Sequence, residues 1–183
     1  MREIVVAKYE EDLGWLDKID NGYWKTVITK GVDTPNKGRE ITSFLYHIIE
    51  RYTSLAEVTI FCQGNPFDHA TNFLEDMKGE CNGYVGIGEG VFECDGNGSP
   101  HHNGLDVRGG FEFINGSLLS GKVSFIRGGQ FMVSKEVVLR RSLSFYESLF
   151  DWVNLRSDNH PWVMERLWST LFNCEVIKNG KEE

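Results

Sequence analysis

Proline is scarce in this sequence, four residues in 183, so no Pro-rich linker divides the chain. Cysteine is as scarce: Cys62, Cys81, Cys94 and Cys174 make no C-x-x-C pair and no zinc-like spacing. Cys62 lies in an apolar run and Cys174 follows one, so buried free thiols are the expected state rather than a disulfide framework. Bases are outnumbered, 19 against 27 acids, for a net charge of −8. Binding to a phosphate backbone releases counterions onto clustered Lys and Arg, and such an acidic chain is not built for tight duplex nucleic-acid binding. A small anion held by a few local groups stays open. No apolar run approaches the ~20 residues that span a bilayer. The opening Met1-Arg2-Glu3 turns acidic too soon for a secretory signal. The expectation is a soluble cytoplasmic protein with no membrane partner.

What is abundant is glycine, 20 residues, and aromatic carbon, with five Trp and twelve Phe. At ~150 residues per domain the chain makes one domain with a substantial core. Ile4 to Tyr9 reads as a buried strand, and Leu13, Trp15, Leu16 and Ile19 suit a short helix preceded by acids. Thr26 to Thr29 is a second strand, and residues 30 to 38 have loop composition. Ile41, Phe44, Leu45, Ile48, Ile49 and Tyr52 trace one face of a helix over 39–52. Val58 to Cys62 is another buried strand, with a helix from His69 to Met77 after it. Such alternation implies an α/β fold: a mostly parallel central sheet flanked by helices. The Gly-rich middle, 79 to 130, predicts a β insert with short strands at Tyr84–Ile87, Phe111–Ile114 and Val123–Ile126, and a long turn at Asp95–Pro100. The last third is helical: one helix capped by Ser134 and running to Arg140, a second from Leu143 to Leu155, a third from Pro161 to Phe172. One domain over 1–178 and a flexible tail, 179–183, complete the expectation.

Five places carry chemistry-bearing residues. Tyr9-Glu10-Glu11-Asp12 ends the first strand, where open α/β sheets bind ligands, although acids there also complement a following helix. Gln63-Gly64-Asn65-Pro66-Phe67-Asp68-His69 follows another buried strand; its amides, carboxylate and imidazole suit a sugar or a cation, or else a turn with Asp68 as helix cap. His101 and His102 sit in a Gly-rich loop, and a single functional histidine fits better than a two-His metal site. Arg127-Gly128-Gly129-Gln130 offers a close backbone approach or a tight strand-to-helix turn. Glu165, among apolar neighbours on a helix, is placed for a raised pKa and general-base work, or for pairing with an arginine.

In order along the chain, the blocks Val5 to Leu16, Pro35 to Glu40, Val58 to His69, Pro100 to Leu105, Gly128 to Lys135 and Glu165 to Trp168 resemble an uncharacterised family of fungal, bacterial and viral proteins. That family looks like a divergent glycosyltransferase of the GT-A type. The resemblance implies a minimal inverting transferase moving a sugar from a nucleotide-sugar donor to a glycan, small-molecule, nucleotide or protein hydroxyl. It places Tyr9 and Glu11 near the nucleotide, with Arg39, Gln63, Asn65, Asp68 and His69 also on the donor side. Arg39 would support the leaving diphosphate, Gly129 and Gln130 would line the sugar or acceptor, Glu165 would be the base, and His101 or His102 would steady sugar or phosphate. Manganese or magnesium would accompany the donor, although Gln63-Gly64-Asn65 stands where an Asp-x-Asp metal motif is usual and no residue is assigned as a metal ligand. Two alternatives are a non-catalytic nucleotide-sugar or glycan binding module, and a metal hydrolase built on Asp68, His69, His101 and His102.

Overall fold

The computed structural model describes residues 1–155 and 159–172. The expected tail, 179–183, and Cys174 lie outside the described residues. Strand β1 (Arg2–Lys8) takes its place at once because Ile4, Val5, Val6 and Ala7 are apolar on both faces and almost wholly buried. Val5 and Ala7 point into one core, Ile4 and Val6 into the other. After a 3-10 turn at Gly14–Lys18, β2 (Tyr23–Thr29) pairs parallel to β1. Helix α1 (Arg39–Arg51) then crosses back, and β3 (Val58–Gln63) pairs parallel on the other side of β1.

Beyond α2 (Phe73–Asp76) the chain runs through β4 (Tyr84–Ile87), β5 (Phe92–Cys94), α3 (Val107–Asn115), β6 (Val123–Phe125) and β7 (Gln130–Ser134). The five-stranded sheet has the order β2-β1-β3-β7-β4, and β5 and β6 form a separate antiparallel pair. β7 runs antiparallel to both β3 and β4, so it is the reversed strand among four that share a direction. The α/β class holds; the sheet is mixed because β7 is reversed. Short α4 (Lys135–Val138), α5 (Leu143–Leu155) and α6 (His160–Leu171) follow, and α1, α5 and α6 cover one face. The smaller core on the other face joins Ile4, Val6, Ile60 and Met132 to Trp15, Phe73 and Met77.

Three local readings need correction. Phe111–Ile114 is no strand but the end of α3: Asp106 Oδ1 accepts from Gly109 N at 2.8 Å, Gly116 closes the helix, and Val107, Gly110 and Ile114 form its buried stripe. The helix expected from His69 shrinks to Phe73–Asp76, because Asn65, not Asp68, caps a 3-10 turn at Pro66–Asp68 and Asp68 instead accepts from Asn65 Nδ2 at 3.0 Å. Gly128-Gly129 joins β6 to β7, strand to strand, and the helix after Ser134 ends at Val138 with no bond from the Ser134 hydroxyl. Cys62, Cys81 and Cys94 are buried thiols, as expected.

At the amino end of β1, Glu3 is buried and accepts from Thr26 Oγ1 at 2.6 Å, with His47 Nε2 at 3.4 Å. Burial opposes its ionisation, but His47 and Thr26 outweigh that and hold the carboxyl below its ordinary value. A lowered carboxylate pKa contributes stability above the unfolded-state value and loses it as pH falls through the folded one. Glu3→Gln is therefore expected to be less stable than wild type at pH 7, with the gap closing in acid below about pH 4.3, read by urea denaturation across pH. Gly110 lets α3 lie against α6, since an ideal Cβ there would stand 2.6 Å from Val163 Cγ1 and 2.9 Å from Leu167 Cδ1. Gly110→Ala should cost about 1–3 kcal/mol by overpacking, measured the same way.

Candidate active site

β1, β2, β3 and β4 all finish at one edge of the sheet, and β7 begins there, with Ile87 opposite Gln130. Successive strands lie on opposite sides of β1, so the crevice outside the carboxyl ends of β1 and β3 is the topological switch point, the usual ligand position in open α/β sheets. The residues there fall into two adjoining groups.

The first group follows β1 and β3. Tyr9 is exposed, its amide donates to Glu11 Oε2 at 2.6 Å, and Lys30 Nζ stands 5.6 Å from the centre of its ring. Burial works against the Glu11 carboxylate, but backbone amides, Tyr9 first, and Lys30 outweigh it and keep its pKa low. The Glu11 side chain lies over Gly64: an ideal Cβ at that position would sit 2.5 Å from Glu11 Oε2. Trp15 Nε1 donates to Gly64 O at 2.8 Å and holds the loop from beneath. Gln63 is half-buried at the end of β3, beside Ala7. Asn65, Asp68 and His69 are exposed, and Asn65 and Asp68 bond each other.

The second group is a closed ring of contacts. Arg39, the first residue of α1, lays its guanidinium 4.2 Å over the Trp162 ring of α6 and approaches Glu40 Oε2 with its Nε at 3.5 Å. The Trp162 ring meets His102 at 5.5 Å between centroids. Next to it, His101 Nδ1 accepts from Arg127 Nη2 at 3.1 Å, and Arg127 lies 4.0 Å over Phe92. Arg127 leads into Gly128 and Gly129, with φ of 91° and 66° that suit glycine. An ideal Cβ on Gly129 would stand 3.3 Å from Glu40 Oε1, and that contact returns the ring to its start. Glu165 follows Trp162 by one turn of α6 and pairs with Arg166 Nη1 at 3.3 Å; its side chain is 11% exposed.

The loop that carries the histidines is packed, not slack. Asp95 Oδ1 accepts from Asn97 N and Ser99 N, and His102 N donates to Gly98 O at 2.9 Å. His101 rests edge-on against Phe92 and Phe125. Gln130, expected to line the sugar or acceptor, is 1% exposed, and its Nε2 donates to Pro66 O at 2.8 Å, stitching β7 to the loop after β3. Arg39, Gly129, Glu165, His101 and His102 thus gather in one place, Gln130 supports them from within, and Tyr9, Glu11, Gln63, Asn65, Asp68 and His69 flank them. Sequence reasoning gave no role to Glu40, Arg127, Trp162 or Phe92. The signals that pointed to them were Arg-Glu opening α1 and Arg immediately before Gly-Gly.

Burial is the main reason the Glu165 pKa is raised; Arg166 pulls it down, Glu40 pushes it up, and Arg39 and Arg127 pull it down. Three arginines against two glutamates leave the cluster one charge positive, within a protein of net charge −8. Among the described residues no three His, Cys, Asp or Glu side chains gather as around a metal ion, and Asp68, His69, His101 and His102 face separate partners. A surface depression lined by Glu3, Trp24, Thr26 and Arg51 lies away from this edge of the sheet. Glu3, the buried carboxylate of that depression, is held low by its partners, whereas Glu165 is pushed up. Followed by carboxyl-carbon NMR against pH, Glu165 is expected to titrate above the ordinary glutamate range. Glu40→Gln should lower it part of the way by removing the like charge, with burial still holding it up.

Residues 4–80 and 112–183 match the family described as "Protein of unknown function (DUF3431)". No curated protein and no solved structure matches the chain. The matched stretches hold Arg39, Glu40, Arg127, Gly129, Glu165 and Arg166, while His101 and His102 fall between them. By the extent of that match, the chain belongs to the DUF3431 family.

Proposed function

We propose that this protein is a small inverting glycosyltransferase of GT-A character that takes a nucleotide-sugar donor. The observation that carries the reading is Glu165: a mostly buried carboxylate of raised pKa, beside arginines, at the carboxyl edge of the sheet. The acceptor hydroxyl oxygen bonds the anomeric carbon of the sugar, the bond from that carbon to the donor diphosphate breaks, and its electron pair leaves with the diphosphate. The acceptor's proton goes to Glu165. A carboxylate of raised pKa is a stronger base than an exposed one, and Arg166, Arg39 and Arg127 beside it favour its ionised form against burial. Tyr9 and Glu11, outside β1, are positioned for the nucleoside, and Gly129 brings the backbone close to the transferred sugar. His101 and His102 face the acceptor side, which suits a glycan, small-molecule, nucleotide or protein hydroxyl. No helix among the described residues is long and apolar enough to cross a membrane, and the buried thiols of Cys62, Cys81 and Cys94 suit a reducing cytoplasm.

Manganese or magnesium, the usual companions of such donors, fit this edge poorly. Gln63-Gly64-Asn65 offers no carboxylate, and Glu11, which covers Gly64, already accepts from Tyr9 N. That same substitution favours a second reading, a nucleotide-sugar binding module without turnover. The test is to incubate the protein with a panel of nucleotide sugars, with and without manganese, and follow donor binding and nucleoside diphosphate release. One donor is expected to be consumed. Glu165→Gln should keep donor binding and lose about 10²–10⁴-fold in turnover. Wild-type turnover should decline as acid protonates Glu165, starting above the ordinary glutamate range. Donor binding with no release, unchanged in Glu165→Gln, would leave only the binding module.

A further inference from the structure

We propose that Arg39 and Arg127 form a diphosphate clamp that holds the donor directly, in place of a bridging divalent cation. The identity of the ligand rests on the transferase reading; the anion site itself rests on geometry. Arg39 and Arg127 come from opposite sides of the ring, one at the start of α1 and one before Gly128, and both are exposed. Each guanidinium lies on an aromatic face, Trp162 at 4.2 Å and Phe92 at 4.0 Å. Stacking fixes the plane of the fork and leaves its N–H edge free to meet phosphate oxygens two at a time. Arg39 spends its Nε on Glu40 and Arg127 one Nη2 on His101, so each retains further donors.

A divalent cation meets the opposite conditions. Glu40 and Glu165, the carboxylates of the ring, are each matched to an arginine. The three guanidiniums leave the cluster one charge positive, which repels a cation and attracts a diphosphate. Gly128 and Gly129 are buried beside Arg127, and their missing Cβ atoms make room for His69, Gln130 and Glu40, which fixes the turn that presents Arg127.

Calorimetric titration of the full chain with inorganic pyrophosphate tests the clamp, once in EDTA and once with manganese. Binding is expected in EDTA, within about twofold of that with manganese. Arg39→Ala and Arg127→Ala should each weaken it about tenfold or more. Arg39→Lys and Arg127→Lys keep the charge but lose the planar fork, so they should fall between. Arg140→Ala, remote and paired with Glu136, should bind as wild type. Pyrophosphate binding that needs manganese, no binding at all, or wild-type affinity in all four variants at Arg39 and Arg127 overturns the proposal. The EDTA arm needs no variant, so a misfolded mutant leaves it decisive. If a nucleotide sugar is consumed only with manganese, the clamp falls and the transferase stands. If pyrophosphate binds in EDTA through both arginines and no donor is consumed, the clamp stands and the transferase falls.

Discussion

Four aromatic side chains, Phe44, Phe61, Phe131 and Trp168, meet between the sheet and its helices, and the placement of the candidate site depends on how they pack. Phe131 and Trp168 lie 4.7 Å apart between ring centroids, Phe44 and Phe61 5.0 Å, and Phe61 and Phe131 5.2 Å. Each such pair adds about 0.5–1.5 kcal/mol beyond the burial of its surface. The cluster clamps α1, β3, β7 and α6 together, and each of those elements except β3 delivers a charged or glycine residue to the ring within five residues of its aromatic anchor: Arg39 before Phe44, Gly129 before Phe131, Glu165 before Trp168. A shift of one helix over the sheet would therefore move Arg39 or Glu165 with it. The precision of the site is inherited from a greasy contact that carries no charge.

That dependence also explains what could be read from residues alone. β1 and β3 were legible because a run such as Ile4-Val5-Val6-Ala7 has few uses outside a strand covered on both faces, and α1 because its apolar stripe repeats cleanly. Phe111-Glu112-Phe113-Ile114 alternates like a strand, yet the controlling information lay at its ends, in the Asp106 cap and the Gly116 stop. The direction of β7 was not legible, since a short apolar strand reads the same in either orientation and only its partners decide. Glu165 announced itself as an acid in apolar company. Its companions Glu40, Arg127 and Trp162 are ordinary in their own segments and acquire meaning only when contacts between distant elements bring them together.

The charge distribution is equally a product of folding. Summed over the sequence, acids dominate; gathered by the tertiary structure, a small positive island surrounds a reluctant carboxylate. Burial makes Glu165 hold its proton more tightly, and the arginines moderate that tendency. The two influences oppose each other and burial is the larger, so the carboxyl stays above its ordinary value.

The start of α1 carries its own record of this demand. Gly38 is left-handed, and so is Arg39, with φ of 53°, a conformation that costs a side-chain-bearing residue roughly 1–2 kcal/mol. Glycine at position 39 would spare the fold that cost and would strip the guanidinium from the Trp162 ring. Selection for thermal endurance alone would push this position toward glycine. Arginine at this position trades backbone ease for a cation stacked on the ring of a second helix.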